Sequence, residues 1–204
     1  IWDGSTTRAR AALEAIPGPR DDRWLWQHYA NTYFDQHFED ALRLLDDPAF
    51  DRDPAARQVA RCEVLMMLGR ADDAAAACLT AIDLVEHRPP NRPEHSTLQL
   101  LALAHANLGH TERARELADS SLHAAPAEID APVNAILSTD RALVLFRIGA
   151  TDEAAAEAIR LLAEPSLLTP AVLANGPSWS GLAREVSKIT AQDTIQNPRL
   201  KTQS

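Results

Sequence analysis

The chain has 204 residues, of which 46% are apolar, and its 20 Lys+Arg against 29 Asp+Glu give a formal net charge of −9. Phosphate contacts dominate nucleic-acid affinity, so an acidic chain without a basic stripe argues against nucleic-acid binding. No apolar run approaches the roughly 18 to 20 residues that span a bilayer, which argues against membrane insertion by this segment. Aromatic residues make up only 5%, and the abundant Ala and Leu favour helices throughout.

The first predicted element is a single amphipathic helix. Gly4, Ala9, Leu13 and Ile16 keep the register that later segments repeat, and the spacing is helical. We expect residues 4–17 to be the second half of a repeat. The chain begins at Ile1 without Met, so we expect a longer protein with the first half upstream.

Four longer segments each predict two amphipathic helices joined by a tight turn. Around Gly109, apolar residues recur at helical spacing on both sides, and glycine supplies the left-handed conformation that ends a helix. One seven-residue phrase surrounds this turn and two others: LGRADDA from Leu68, LGHTERA from Leu108 and IGATDEA from Ile148. The predicted hairpins cover about 21–48, 54–86, 94–125 and 130–164.

The connections between these segments differ in length and composition. Gln36 stands in the glycine position of the first hairpin, where we expect a turn one residue shorter than in the others. The proline-rich stretches HRPPNRP, from His87, and AAPAEIDAP, from Ala124, cannot continue a helix and are predicted loops. Thr169 before Pro170 is a good helix start. It opens a predicted cap over residues 169–192, followed by a polar tail, 193–204.

The hairpins resemble tetratricopeptide repeats (TPRs). Around Gly109 the small and large core positions of that family are matched in order by Leu98, Leu101, Ala102, Gly109, Ala114, Ala118, Ser121 and Pro126. One such hairpin cannot bury its apolar face alone, so successive copies stack around a shared core. The resemblance implies an all-α fold: a right-handed, TPR-like α-solenoid of antiparallel helical hairpins with a C-terminal capping helix and one concave surface.

The C-terminal segment resembles the end of bacterial repeat domains attached to serine/threonine kinases and winged-helix regulators. The pattern of those domains is matched by Pro165, Ser166, Leu168, Thr169, Pro170, Ala171, Leu173, Pro177, Trp179 and Leu182. Gly176 and Gly181 are among the positions that depart from it. The resemblance implies the C-terminal regulatory part of a larger bacterial signalling or transcription-regulating protein.

In the TPR family the first helix of each hairpin lines the concave groove, where partners bind. The positions carried over from the family predict seven partner-binding residues: Gln27, Asn31, Glu63, Gln99, Asn107, Thr139 and Arg147. The groove positions Phe34, Val59, Met66, Leu103 and Leu143 are apolar, and for most of them packing between repeats is the favoured interpretation. The predicted function is a non-enzymatic scaffold or adaptor that binds a protein or peptide; the alternative is a regulatory domain that senses a small peptide or metabolite.

No catalytic, metal or cofactor site is predicted. His105 and His110 are the closest histidine pair in the helical regions, but a spacing of i, i+5 does not put them on one helix face. Cys62 and Cys78 would be neighbours in a hairpin; two buried free thiols are favoured, with a disulfide as the alternative. We expect a cytoplasmic protein, or an extracytoplasmic one if a membrane span lies upstream. The sequence leaves a homo-oligomer open.

Overall fold

The computed structural model describes residues 5–18, 21–50, 53–87, 93–125, 131–164 and 166–196, and in these ranges the chain is helical and without strands. The helices are α1 (Thr6–Glu14), α2 (Asp22–Phe34), α3 (Phe38–Leu45), α4 (Pro54–Met67), α5 (Ala71–Glu86), α6 (Glu94–Asn107), α7 (Thr111–Ala124), α8 (Ala131–Arg147), α9 (Thr151–Ala163), α10 (Pro170–Asn175) and α11 (Ser180–Gln196), with a short 3₁₀ helix, Pro177–Trp179, before α11. None of these helices has the length and apolarity needed to cross a membrane.

The helices pair into hairpins that stack in chain order. The pairs are α2 with α3, α4 with α5, α6 with α7, and α8 with α9; first helices also contact one another, α4 against α6 and α6 against α8. The predicted fold class is confirmed: the chain is an all-α, TPR-like solenoid of antiparallel hairpins. Helices α4, α6 and α8 therefore lie on one side of the stack, and α2 joins α4 and α8 around the cavity described below. This side corresponds to the concave face of a TPR-like solenoid.

All four hairpin turns have the same backbone. The second residue after the end of the first helix has a positive φ in each hairpin: 61° at Gln36, 70° at Gly69, 74° at Gly109 and 82° at Gly149. The amide of His37 donates to the carbonyl of Thr32 at 3.1 Å, as the amide of Arg70 donates to that of Leu65 at 2.9 Å. The expectation of a shorter first turn is therefore wrong. Gln36 is held by the same Schellman hydrogen bond as the glycines.

Small residues let the paired helices approach closely. The fourth residue of each second helix is a buried alanine: Ala41, Ala74, Ala114 and Ala154. One apolar core runs from α4 to α11, and a smaller core with more aromatic residues lies between α2, α3 and α4. The two cores meet at Phe34 and Leu42, which pack against both.

Cys62 of α4 and Cys78 of α5 form a disulfide, with their Cα atoms 5.4 Å apart. The preferred interpretation from the sequence, two free thiols, is therefore wrong. The hairpin turn at Gly69 places the two helices side by side, and both side chains are buried in the interface between them. Proximity was visible in the spacing, but the bond depends on the packing distance between α4 and α5, which the spacing does not give.

The C-terminal segment covers the last hairpin. The Thr169 hydroxyl caps α10 by accepting from the amide of Val172 at 3.2 Å, and α11 packs on α9 through Leu182 and Val186. A Cβ on Gly181 would lie 2.4 Å from Cζ of Phe146. The absence of a side chain at Gly181 therefore allows α11 to approach the ring of Phe146 closely.

The ends of the chain are only partly described. Helix α11 continues to Gln196, so the predicted polar tail begins inside a helix, while residues 197–204 lie outside the described residues, as does Gly4. The division into one domain with a half repeat and a tail stays a prediction.

Candidate binding cavity on the concave face

A cavity of about 280 Å³, partly open to solvent, lies between the first helices and the C-terminal segment. It is lined by Tyr29, Ala30, Tyr33 and Phe34 of α2, Glu63 of α4, Thr139, Asp140 and Leu143 of α8, and Leu167, Val172, Gly176, Pro177, Ser178 and Trp179 of the C-terminal segment. The cavity therefore joins both ends of the repeat array. Its walls are largely aromatic or aliphatic, with a few polar groups, as in most ligand sites.

Arg147 holds three hairpins and the C-terminal segment together beside this cavity. Its guanidinium donates to Oδ1 of Asn107 at 2.6 Å, to Oε1 of Glu63 at 2.6 Å and to Oγ of Ser178 at 3.2 Å. The side chains of Arg147 and Glu63 are only 11% and 17% exposed. Ion pairs this far from solvent are screened weakly, so the geometry of the network is fixed more firmly than at an open surface.

Tyr33 links the first described hairpin to the 3₁₀ helix. Its hydroxyl lies 2.6 Å from Oγ of Ser178, a residue 145 positions later in the chain. Burial, and secondly the charge on Glu63, raises the pKa of Tyr33 above its usual range. The pKa of Tyr29 is raised by the same two causes. Both phenols are therefore neutral near pH 7, and each presents a ring and a hydroxyl to the cavity.

Asp140 is the acid of the cavity that lacks a basic partner among the described contacts. Its Oδ2 accepts a hydrogen bond from the Gln99 side-chain amide. Burial, and secondly the charge on Glu63, raises the pKa of Asp140 to about 7, although Arg147 acts in the opposite direction. Near neutral pH this carboxyl is therefore partly protonated.

The predicted groove residues occupy three kinds of position. Glu63 and Thr139 line the cavity, although the Thr139 hydroxyl donates to the Ala135 carbonyl of its own helix. Gln99, Asn107 and Arg147 lie behind the lining and hydrogen-bond to it or to one another. This arrangement brings five of the seven residues to one site.

The other two predicted residues are placed apart from the lining. Asn31 is 1% exposed, and its Oδ1 has no hydrogen-bond partner within the part of the chain that the structure describes. Gln27 is exposed on α2. Their part in binding stays a prediction.

Sequence reasoning missed the aromatic and acidic members of the cavity. Tyr29 and Tyr33 are absent from the seven predicted partner-binding residues, and Ser178 and Trp179 lie within the predicted cap, 169–192. Asp140 follows the predicted groove residue Thr139 directly. Asp140 also precedes the groove positions Leu143 and Arg147 by three and seven residues, which puts it on the same helix face. That spacing was the signal that could have found it.

A larger, more open hollow of about 560 Å³ lies over α1, α2 and α3. Its arginines form surface ion pairs, Arg10 with Asp35 and Arg43 with Asp40. It contains none of the predicted partner-binding residues. The smaller cavity is therefore the better candidate site.

The described residues contain no group of three His, Cys, Asp or Glu side chains suited to a metal ion. His105 and His110 come together with their Nδ1 atoms 2.9 Å apart, although they do not share a helix face. The turn at Gly109 folds His110 back over the end of α6. Partial burial, and secondly His110, lowers the pKa of His105.

No family model matches the chain, and no curated protein matches it. Among solved structures, one similar chain is described as a kinesin light chain from Podospora anserina with nearly identical TPR-like repeats. The two are 15% identical, with a TM-score of 0.46 over 91% of this chain and 100% of the other. The fold assignment given above depends on the helices and turns of this chain alone.

Proposed function

We propose that this chain is a non-enzymatic interaction module that binds a protein or peptide segment at its concave cavity. The observation that carries the proposal is convergence: three first helices and the C-terminal segment, far apart in sequence, meet around one partly open cavity. Recognition residues held by a rigid scaffold are typical of binding sites.

The cavity is large enough for one or two side chains of a bound peptide, but not for a whole peptide. Pockets for drug-sized ligands measure roughly 300 to 1,000 Å³, and 280 Å³ lies just below that range. The space accommodates one or two side chains of a peptide whose remaining residues lie along the groove. Gln27, on the same helix as the cavity residues Ala30 and Phe34, is exposed for such contacts.

A blocking variant tests this proposal without disturbing the Arg147 network. Ala30 lines the cavity, so Ala30→Leu places three extra carbons in that space. Ala76→Leu, on the exposed side of α5, is the matched control. Peptides selected from a displayed random library on the unchanged protein would be titrated against both variants by isothermal calorimetry.

The selected peptides should bind Ala30→Leu at least tenfold more weakly than they bind Ala76→Leu. Circular dichroism and thermal melting establish that both variants are folded. If the two folded variants bind every selected peptide with equal affinity, the cavity is not the binding site.

The second candidate is a ligand-sensing regulatory domain, and the position of the cavity favours it. The lining includes both α2 and the 3₁₀ segment, so a bound small molecule would contact both ends of the array. Ligands that bind only the folded state stabilise it by mass action. A metabolite that raises the melting temperature of Ala76→Leu but not of Ala30→Leu would support sensing over peptide binding.

We also propose a cellular setting, supported by the resemblance of the C-terminal segment to bacterial capping sequences. In that setting the chain is the C-terminal regulatory part of a bacterial signalling or transcription-regulating protein. The residues upstream of Ile1 test this directly: a kinase or winged-helix sequence there supports it, and an unrelated enzyme contradicts it. A homo-oligomer is tested by light scattering of the purified chain.

A further inference from the structure

The polar groups of the cavity leave one negative charge without a cationic partner. Glu63 is paired with Arg147 at 2.6 Å, and Arg147 also donates hydrogen bonds to Asn107 and Ser178. Asp140 receives only the neutral amide of Gln99 among its described hydrogen bonds. A cation entering the cavity would therefore meet an uncompensated carboxylate in surroundings of low polarity, where charge attraction is stronger than in water.

Aromatic rings surround the same space. Tyr29, Tyr33, Phe34 and Trp179 all line the cavity, and the rings of Tyr29 and Tyr33 are nearly parallel with centroids 6.0 Å apart. Ring faces carry partial negative charge and attract ammonium groups within about 6 Å. The rings also cover the alkyl part of a long side chain, which gains from leaving water.

We propose that the cavity binds the alkylammonium group of a lysine side chain presented by the partner peptide, with Asp140 as its counter-ion and the four aromatic rings around its alkyl chain. This inference depends on the proposed peptide-binding function and specifies its ligand chemistry. An anionic side chain would meet Asp140 and Glu63 instead, and Arg147, the cation beside the cavity in the described part of the chain, is already bonded to Glu63 and Asn107.

Binding should weaken at acidic pH because Asp140 must lose its proton to pair with the ammonium. The other titratable groups that face it are Glu63 on α4, Arg147 on α8, and Tyr29 and Tyr33 on α2. The phenols stay neutral between pH 6 and 8, since their pKa values are raised. A lysine ammonium, with a pKa near 10.4, stays charged.

The experiment uses the full chain and small probes observed by NMR. The probes are N-acetyl-lysine methylamide, its norleucine analogue, which lacks only the ammonium group, and n-butylamine. Binding is followed at the indole N–H of Trp179, assigned by comparison with Trp179→Phe. Each titration is repeated with Asp140→Asn and with Asp72→Asn, an exposed acid on α5, as the control.

The lysine probe should bind at least tenfold more tightly than the norleucine probe at pH 8, and Asp140→Asn should remove most of that preference while Asp72→Asn keeps it. Between pH 8 and pH 6 the preference should fall several-fold. Butylamine that binds as well as the lysine probe would place all recognition in the alkylammonium group. Weaker butylamine binding would show that the peptide backbone contributes.

Equal binding of the norleucine and lysine probes, or an unchanged lysine preference in folded Asp140→Asn, would overturn the ammonium assignment. Library peptides that still depend on an unblocked cavity would then leave the proposed function standing. If neither the probes nor any library peptide respond to Ala30→Leu, the proposed function fails as well.

Discussion

At the scale of single residues, Asp140 is the acid that the fold keeps partly protonated near neutral pH. Its folded pKa of about 7 lies above the value near 3.8 of a free side chain. Between those two values the folded chain holds a proton that the unfolded chain releases. Stability therefore falls through this group as pH rises from about 4 to 7, and the loss is complete above the folded pKa.

Asp140→Asn should stabilise the protein at alkaline pH. The raise in pKa corresponds to at most about 4 kcal/mol, and we expect about 1 to 3 kcal/mol at pH 8, because Asn cannot ionise and still accepts from Gln99. The gain should shrink by more than half at pH 5, as measured by urea unfolding at both values. Asp72→Asn serves as the control. An Asp140→Asn variant no more stable than the wild type at pH 8 contradicts this account of the site.

At the scale of helices and turns, the first hairpin keeps the shared turn without its glycine. Gln36 adopts a φ of 61°, a conformation that costs a residue with a Cβ roughly 1 kcal/mol. Gln36→Gly should therefore raise the free energy of unfolding by about 0.5 to 1 kcal/mol. Gly149→Gln, the reverse change at a φ of 82° with open space around it, should lower it by a similar amount. Changes of opposite sign in the free energy of unfolding, measured in urea, would support a shared turn conformation. A decrease in both variants would contradict it.

The turns show what local sequence predicts well. In each hairpin a residue with left-handed backbone stands five positions before a buried alanine. Because both features lie within one short segment, Gly69, Gly109 and Gly149 were enough to predict three of the four turns. The disulfide and the contact of Gly181 with Phe146 involve the distance between packed helices. Such distances arise only when the whole array is assembled, and hydrophobic spacing does not encode them.

The disulfide between α4 and α5 gives an element-scale prediction. It closes a loop of 16 residues, for which the unfolded-chain entropy model gives roughly 3 kcal/mol. Reduction, or Cys62→Ser with Cys78→Ser, should lower the free energy of unfolding by about 2 to 3 kcal/mol. Mass spectrometry after alkylation without reductant measures the pairing itself.

The pairing also bears on location. Disulfides persist in oxidising compartments, so this bond favours an extracytoplasmic setting over the predicted cytoplasmic one. Two alkylated cysteines in protein taken directly from its native cells would contradict the pairing and restore the cytoplasmic prediction.

At the scale of the whole molecule, the two ends of the repeat array meet. Ser178 contacts Tyr33 and Arg147, so the C-terminal segment completes the concave site as well as covering the last hairpin. The repeats predicted which helices form that face and brought Glu63, Thr139 and Arg147 to it. They did not predict the aromatic wall of the cavity, which is formed by Tyr29, Tyr33, Phe34 and Trp179. These residues come from α2 and the 3₁₀ helix, which are far apart in sequence and meet only in the assembled array.

Substitution of Arg147 should weaken the contact between the hairpins and the C-terminal segment more than substitution of any other single residue of the network. Arg147→Met removes the guanidinium that donates hydrogen bonds to Glu63, Asn107 and Ser178. It leaves the carboxylate of Glu63, which is 17% exposed, without its cation. Loss of one partner of a buried pair costs about 3 to 5 kcal/mol. The residual exposure reduces that cost, and we expect about 2 to 4 kcal/mol in urea unfolding.

Two comparisons separate the lost ion pair from the lost side chain. Adding Glu63→Gln to Arg147→Met should recover part of the stability, because the uncompensated charge is gone. Arg113→Met breaks an exposed pair with Glu116, and surface pairs are worth about 0 to 1 kcal/mol. If Arg147→Met costs no more than Arg113→Met, the Arg147 network does not hold the hairpins and the C-terminal segment together.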